Sequence, residues 1–184
     1  MAEVPAFPHD EPLTHRDLET IADGSRRYEL VDGTLIMSPS PRPLHQRVVA
    51  RVLAAITEVC PADCEALPAP VDVWLTDDTV LIPDVVVGRR AAFTERALVG
   101  APELVVEVVS PASEHVDRFL RPARLAAAGC PHYWVVDPRA PSVACYSLDG
   151  AAYALVAEGR GAEPVKLAEP YPLTLVPEDL VSAY

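Results

Sequence analysis

The spacing of apolar and polar positions changes period several times along the chain, and each change marks an element. Residues 14 to 23 read as a short helix, because Thr14 precedes Asp17 by three positions, as in a capping box, and Leu18 with Ile21 makes a small apolar face. From Arg26 to Met37, RRYELV and TLIM flank Asp32-Gly33, the dipeptide that best accepts the positive φ angles of a tight hairpin turn. After the proline-rich SPSPRP, residues 44 to 60 carry Leu44, Val48, Val52, Leu53, Ile56 and Val59 on one stripe, with Arg47, Arg51 and Glu58 off it. That is an amphipathic helix packed on a core.

Strands are predicted at 71 to 75 (VDVWL), at 80 to 87 (VLIPDVVV) and from Leu104 to Val109 (LVVEVV). Pro83 makes the second of these an edge strand or bulges it, because proline donates no ladder hydrogen bond. A helical segment from Ser113 to Ala128 should stop at Gly129, which suits a helix C-terminus. HYWVVD, 132 to 137, is another strand, and residues 142 to 156 form a second hairpin on a turn containing Asp149-Gly150. There is no internal repeat and no boundary, so residues 1 to 184 read as one domain, with 1 to 10 a flexible N-terminal tail. The predicted class is α+β, or mixed α/β, with helices packed against a sheet.

Half of the 184 residues are apolar, enough for a sizeable core. Fifteen basic residues against 27 acidic ones give a net charge of −12, which argues against holding polyanions by bulk electrostatics. It leaves room for a local acidic metal site that handles phosphate. Only one of the basic residues, Lys166, is a lysine. The acids and prolines of MAEVPAFPHDEPL predict no export signal, and no apolar run approaches the roughly 20 residues of a membrane helix. Cys60, Cys64, Cys130 and Cys145 lack the second pair a zinc site would need and read as structural thiols of a cytoplasmic protein.

The chemistry is concentrated in acids that interrupt apolar strands. Glu107 is the only charge in LVVEVV, and alternation puts it on the face shared by Val105 and Val109. A buried carboxylate there must become neutral or find a cation, whereas on a solvated outer face it would only pair with an arginine. Asp84 is the only charge in VLIPDVVV, directly after the proline, and Glu29 interrupts RYELV. Three such acids with no adjacent cation, apart from Arg26 and Arg27 near Glu29, suggest a shared counterion from outside the chain. Hard oxygens suit Mg²⁺ or Mn²⁺, which polarises a phosphoryl oxygen and acidifies a bound water.

In order, YELVDGTLIMSPSP, His45, IPDVVV, PELVVEVVSP and the segment from Asp117 to AAAGCPHYWVVDP resemble the Uma-type restriction endonucleases of the PD-(D/E)xK nuclease superfamily, over nearly the whole chain from about Asp10. The resemblance implies a restriction-endonuclease-like bent central sheet flanked by helices, with N-terminal and C-terminal hairpins. It implies a metal-dependent endonuclease acting on DNA with Mg²⁺ or Mn²⁺ and no organic cofactor. Pro83-Asp84 matches the first half of the superfamily motif, Glu107 the acid of the second, and Glu29 the further acid of the family's hairpin. Asp84 and Glu107, with the carbonyl of Val108 or Val109, are then the implied metal ligands. Val109 stands where the superfamily has its lysine, and the family's relocated lysine falls on Arg121. Arginine supplies charge and donors to phosphate but cannot act as a base. Pro122 frees a backbone carbonyl one turn back, and Leu125 replaces the family's usual tyrosine.

His45 matches the family's P-x-H pattern and either faces the site or is a helix-terminal histidine without chemistry. Asp117 and Arg118 are expected to cap and brace the third helix, and Tyr133 and Trp134 to be core aromatics. Arg89-Arg90 is either a contact to DNA backbone or a solvated loop. Cutting both strands calls for two sites, so a C2 homodimer is expected. The alternative function is a nuclease fold with weak or lost catalysis that binds DNA or a protein.

Overall fold

The computed structural model describes residues 12–21, 27–38, 40–111 and 116–182. Among them are the helices α1 (His15–Ile21), α2 (Pro43–Val59), α3 (Arg121–Ala128) and α4 (Pro177–Val181). The strands are β1 (Arg27–Val31), β2 (Thr34–Ser38), β3 (Cys64–Pro68), β4 (Asp72–Thr76), β5 (Thr79–Leu81), β6 (Val85–Arg89), β7 (Ala97–Val99), β8 (Leu104–Val108), β9 (His132–Asp137), β10 (Ser142–Asp149), β11 (Ala152–Arg160), β12 (Val165–Leu167) and β13 (Leu173–Leu175). They form a five-stranded sheet in the order β2-β1-β5-β4-β7, a six-stranded sheet in the order β11-β10-β9-β8-β6-β3, and the pair β12-β13. The mixed α+β class is as predicted. No helix among the described residues is long and apolar enough to cross a membrane.

The first helix and hairpin follow their local signals. The Asp17 carboxylate accepts hydrogen bonds from the Thr14 N–H at 2.7 Å and the Thr14 hydroxyl at 2.8 Å, which is the return arm of the predicted capping box. α1 ends at Ile21, and the rest of the predicted helix lies outside the described residues. Asp32 and Gly33 both take positive φ, +51° and +71°, in the turn between β1 and β2. A Cβ at Gly33 would stand 2.3 Å from Pro12 Cβ, so the turn also needs glycine for close approach.

One predicted strand is corrected. VLIPDVVV is two strands in different sheets: β5 lies between β1 and β4, and β6 lies between β8 and β3. Pro83 therefore sits neither on an edge strand nor in a bulge. It lies in the short break between β5 and β6, where a residue without an N–H leaves no ladder bond unmade. The chain changes sheets there, and Asp84 is carried at the crossing.

The predicted third helix is also divided. Residues 112–115 lie outside the described residues, Val116–Leu120 is a π-helical turn, and α3 begins at Arg121 with Pro122 in its first turn. Proline is tolerated there because the first-turn N–H groups have no intrahelical partner, and the wider turn before it relieves the clash with the preceding carbonyl. α3 stops at Gly129 in the left-handed region, φ +85°, as expected.

The six-stranded sheet has an apolar layer on each face. On one, Val48, Val52 and Ile56 of α2 pack on Val85, Val87, Leu104, Val106, Val108, Trp134 and Val136. On the other, Leu125 of α3 packs with Val86, Val105, Val109, Tyr133 and Val135, joined by Val31, Val73, Leu81 and Leu98 of the five-stranded sheet. Alternation along β8 thus sends Leu104, Val106 and Val108 towards α2, and Val105, Glu107 and Val109 towards α3. Tyr133 and Trp134 are buried core aromatics, and all four cysteines are free thiols. β3, β7, β12, β13 and α4 were not predicted; all are short pieces of three to five residues with little period of their own.

Candidate active site

The break between β5 and β6 gathers the acids. Asp84 is 7% exposed, and its Oδ2 accepts a hydrogen bond from the Val108 N–H at 2.8 Å, at the C-terminal end of β8. The same oxygen lies 3.1 Å from Nε2 of His45, which the first turn of α2 holds over the break. Burial opposes charge on the imidazole. The Asp84 carboxylate more than offsets it, helped by Gln46 and the Val108 carbonyl, and holds the His45 pKa above its ordinary value. His45 is thus helix-terminal and also faces Asp84.

On the α3 side, Arg121 reaches into the same junction. Its Nη2 lies 2.6 Å from Glu29 Oε2, and its Nη1 lies 2.6 Å from Glu107 Oε1 and 3.3 Å from Asp117 Oδ1. The other Glu29 oxygen accepts a hydrogen bond from the Ile82 N–H, 2.6 Å away, in the break itself. Glu29, Glu107 and Asp117 are each 1% exposed and Arg121 is 4% exposed. The hydroxyl of Tyr133 donates to the Asp117 carbonyl at 2.5 Å and fixes the π-helical turn to β9. Asp117 touches Arg121 of α3 but does not cap that helix, whose N-cap position is Leu120 with no side-chain cap hydrogen bond. The side chain of Arg118 lies outside the described residues.

The counterion expected from outside the chain is, for Glu29 and Glu107, an arginine of the chain itself. It comes from a helix 92 residues beyond Glu29, so nothing adjacent in sequence announced it. Leaving these carboxylates unpaired would cost several kcal/mol per ion, which is why the folded chain supplies a permanent cation. One guanidinium is still too little for so many acids. Burial drives the Glu107 pKa well up, Arg121 opposes this, and Asp117, Asp84 and Glu29 reinforce it. Burial disfavours the Arg121 charge, but Glu107, Glu29 and Asp117 outweigh it and hold the guanidinium protonated.

A further acid escaped the sequence reading. Asp72, in VDVWL, has its pKa raised first by burial and then by Glu29, against a hydrogen bond to Trp74 that lowers it. Its signal was the same as that of Glu29, a lone acid in an apolar strand. The hairpin turn is also tied to α3, since Arg124 Nε lies 2.7 Å from Asp32 Oδ1. Arg89 and Arg90 spend their charge on neighbours: Arg89 lies 2.7 Å from Asp63 and 2.9 Å from Glu103, and Arg90 lies 3.2 Å from Glu65.

Among the described residues, no group of three or more His, Cys, Asp or Glu side chains is spaced as a metal site. A hard cation that keeps several waters needs only one or two carboxylates. Asp84, Glu107 and the Val108 carbonyl, which faces His45, are the oxygens near the end of β8 that would supply such a set. Glu107 Oε1 is buried with no aligned hydrogen bond despite its closeness to Arg121, so its capacity to accept is not exhausted. By charge and donor type the residues fit Mg²⁺ or Mn²⁺.

A family model described as Uma2, putative restriction endonuclease, matches residues 15–176. No curated protein matches the chain. Among solved structures the chain is similar to a putative nuclease belonging to DUF820 from Anabaena variabilis ATCC 29413, with a TM-score of 0.71 and 20% identity, over 92% of this chain and 98% of that one. At that identity the likeness speaks for the fold.

The raised pKa values of Glu107 and His45 have the same sign for stability. In both cases the native state keeps a proton that the unfolded chain releases, so their contribution is present below the unfolded-state values and lost as pH rises through the folded-state ones. Thermal melting across the neutral range should give a midpoint that declines as pH rises, and His45→Gln should flatten part of that decline. A midpoint that rises across this range would contradict these assignments.

Proposed function

The chain belongs to the Uma2 restriction endonuclease family, and from that premise we propose that it is a Mg²⁺- or Mn²⁺-dependent endonuclease that hydrolyses phosphodiester bonds of DNA. The observation that carries the reading is the gathering of Asp84, Glu107 and Glu29 around the short break where the chain passes from β5 in one sheet to β6 in the other. Solvated strand acids, scattered for solubility, would have no reason to be buried together.

Asp84 and Glu107, with the Val108 carbonyl, would hold the cation. When bound, that cation would polarise a phosphoryl oxygen and acidify a water. The Val108 N–H and His45 fix the Asp84 carboxylate in orientation, so a ligand there would meet a preset oxygen. Glu29 orients Arg121 and closes the β5–β6 break through the Ile82 N–H, and would assist through a water or a second metal. Arg121 would stabilise negative charge developing at the phosphate from behind Glu107. Its pKa leaves it no part in taking a proton. With a net charge of −12, DNA would be held through a small metal-bridged footprint and not through a broad basic face.

A second reading is favoured by Arg121 itself, which already occupies much of the acids' capacity. In it the fold binds DNA or a protein and cuts weakly or not at all. Supercoiled plasmid incubated with Mg²⁺ or Mn²⁺ separates the two. Nicking should appear, and fall by about 100-fold or more in Asp84→Asn and Glu107→Gln, variants that keep the shape of each side chain. Equal nicking by wild type and both variants would remove these residues from the chemistry. DNA retained in a gel shift without nicking in either metal would favour the binding reading.

Two copies related by a two-fold axis would present one site to each strand. Light scattering should therefore give a dimer mass at working concentration, and a monodisperse monomer would exclude it.

A further inference from the structure

Arginine and lysine differ in what they can do inside a cluster of carboxylates. A guanidinium is planar, always charged and forked, so one side chain can serve two acids at once. Arg121 does so, with one terminal nitrogen at 2.6 Å from Glu29 and the other at 2.6 Å from Glu107 and 3.3 Å from Asp117. An ammonium is a single point and could not span the same pair. The arrangement is not saturated, however. Arg121 Nε is buried without an acceptor, and Glu107 Oε1 touches the guanidinium out of line for a hydrogen bond. The Arg121–Glu29 bond is aligned; the Arg121–Glu107 contact is a charge contact.

We propose that Arg121 is the resident cation of this site and competes with a divalent metal for Glu107, so that the acids stay assembled without metal and the metal binds weakly. This rests on the metal-dependent reading of the site proposed above. A dication arriving at Glu107 meets a fixed positive charge already against one carboxylate oxygen. The guanidinium cannot neutralise itself, and at 4% exposed it has no solvent to retreat into. Glu29 holds it in place from the other side, and Glu29 is itself fixed by the Ile82 N–H at 2.6 Å. Arg121 is then a positioning residue with two opposed effects: it keeps Glu29 and Glu107 together, and it lowers the affinity of the pocket for the metal.

The experiment combines calorimetric titration with MnCl₂ and thermal melting with and without Mn²⁺, on the full chain and on Arg121→Gln, Arg121→Lys and Asp84→Asn. In the wild type Mn²⁺ should move the melting midpoint little. Arg121→Gln should melt lower without metal, bind Mn²⁺ about tenfold more tightly or better, and recover much of the lost midpoint when Mn²⁺ is added. Arg121→Lys should fall between the two, and Asp84→Asn should weaken Mn²⁺ binding. Binding by Arg121→Gln no tighter than wild type would overturn the competition. If that variant does not fold without metal, Arg121→Lys decides, and equal or weaker binding by it overturns the competition as well. Wild-type Mn²⁺ binding that depends on Asp84 but is not tightened in either Arg121 variant would defeat this inference and leave the metal reading standing. No Mn²⁺ binding by any of the four proteins would defeat the metal reading and this inference with it.

Discussion

A single guanidinium shared by carboxylates that water barely reaches is the constraint on which the rest of the structure depends. Arg121 touches Glu29 of the five-stranded sheet, Glu107 of the six-stranded sheet and Asp117 of the turn that leads into its own helix. Those three elements come from distant parts of the chain, and the charges of their acids could not be buried without it. The ion pairs therefore locate the two sheets and α3 relative to one another. Apolar packing between Val31, Val73, Leu81 and Leu98 on one sheet and Val86, Val105 and Val135 on the other would tolerate small slips, but the ion pairs would not.

Pro83 supplies the other half of the design. By ending β5 and letting β6 start in a different sheet, it turns an apolar run into a junction and leaves Asp84 at the opening. The Ile82 N–H is satisfied by Glu29, and the Val108 N–H at the end of β8 by Asp84. Acids thus do structural work at the place where the proposed metal-dependent chemistry would draw its oxygen ligands. Stability and chemistry draw on the same side chains, so substitutions that impair one should be examined for the other.

Much of this was legible from residue type and period. The lone acids in RYELV, VLIPDVVV and LVVEVV marked the buried acidic cluster, because a carboxylate among β-branched residues requires a partner. Alternation gave the face of Glu107, and Asp32-Gly33 gave the hairpin. Residue type and period did not say which cation would answer; only the family resemblance pointed to Arg121. Arg121 is adjacent to Glu29 and Glu107 only in space, and its neighbours Leu120 and Pro122 say nothing of its direction. Asp72 was overlooked although it carries the same signal as Glu29. The split at Pro83 was missed because a strand that bends into a second sheet and a strand that bulges have the same local sequence. β7, β12 and β13 are three residues long, too short for alternation to declare itself.

The claim that Arg121 and Glu107 form one energetic unit is tested most directly by a double-mutant cycle read from urea unfolding at fixed pH, using Arg121→Met, Glu107→Gln and the double variant. Each single change leaves an opposite charge less compensated. The double variant should accordingly be less destabilised than the sum of the two, with an interaction energy of about 2 kcal/mol or more. Additivity to within about 0.5 kcal/mol would show that the contact carries no coupling and would contradict the account.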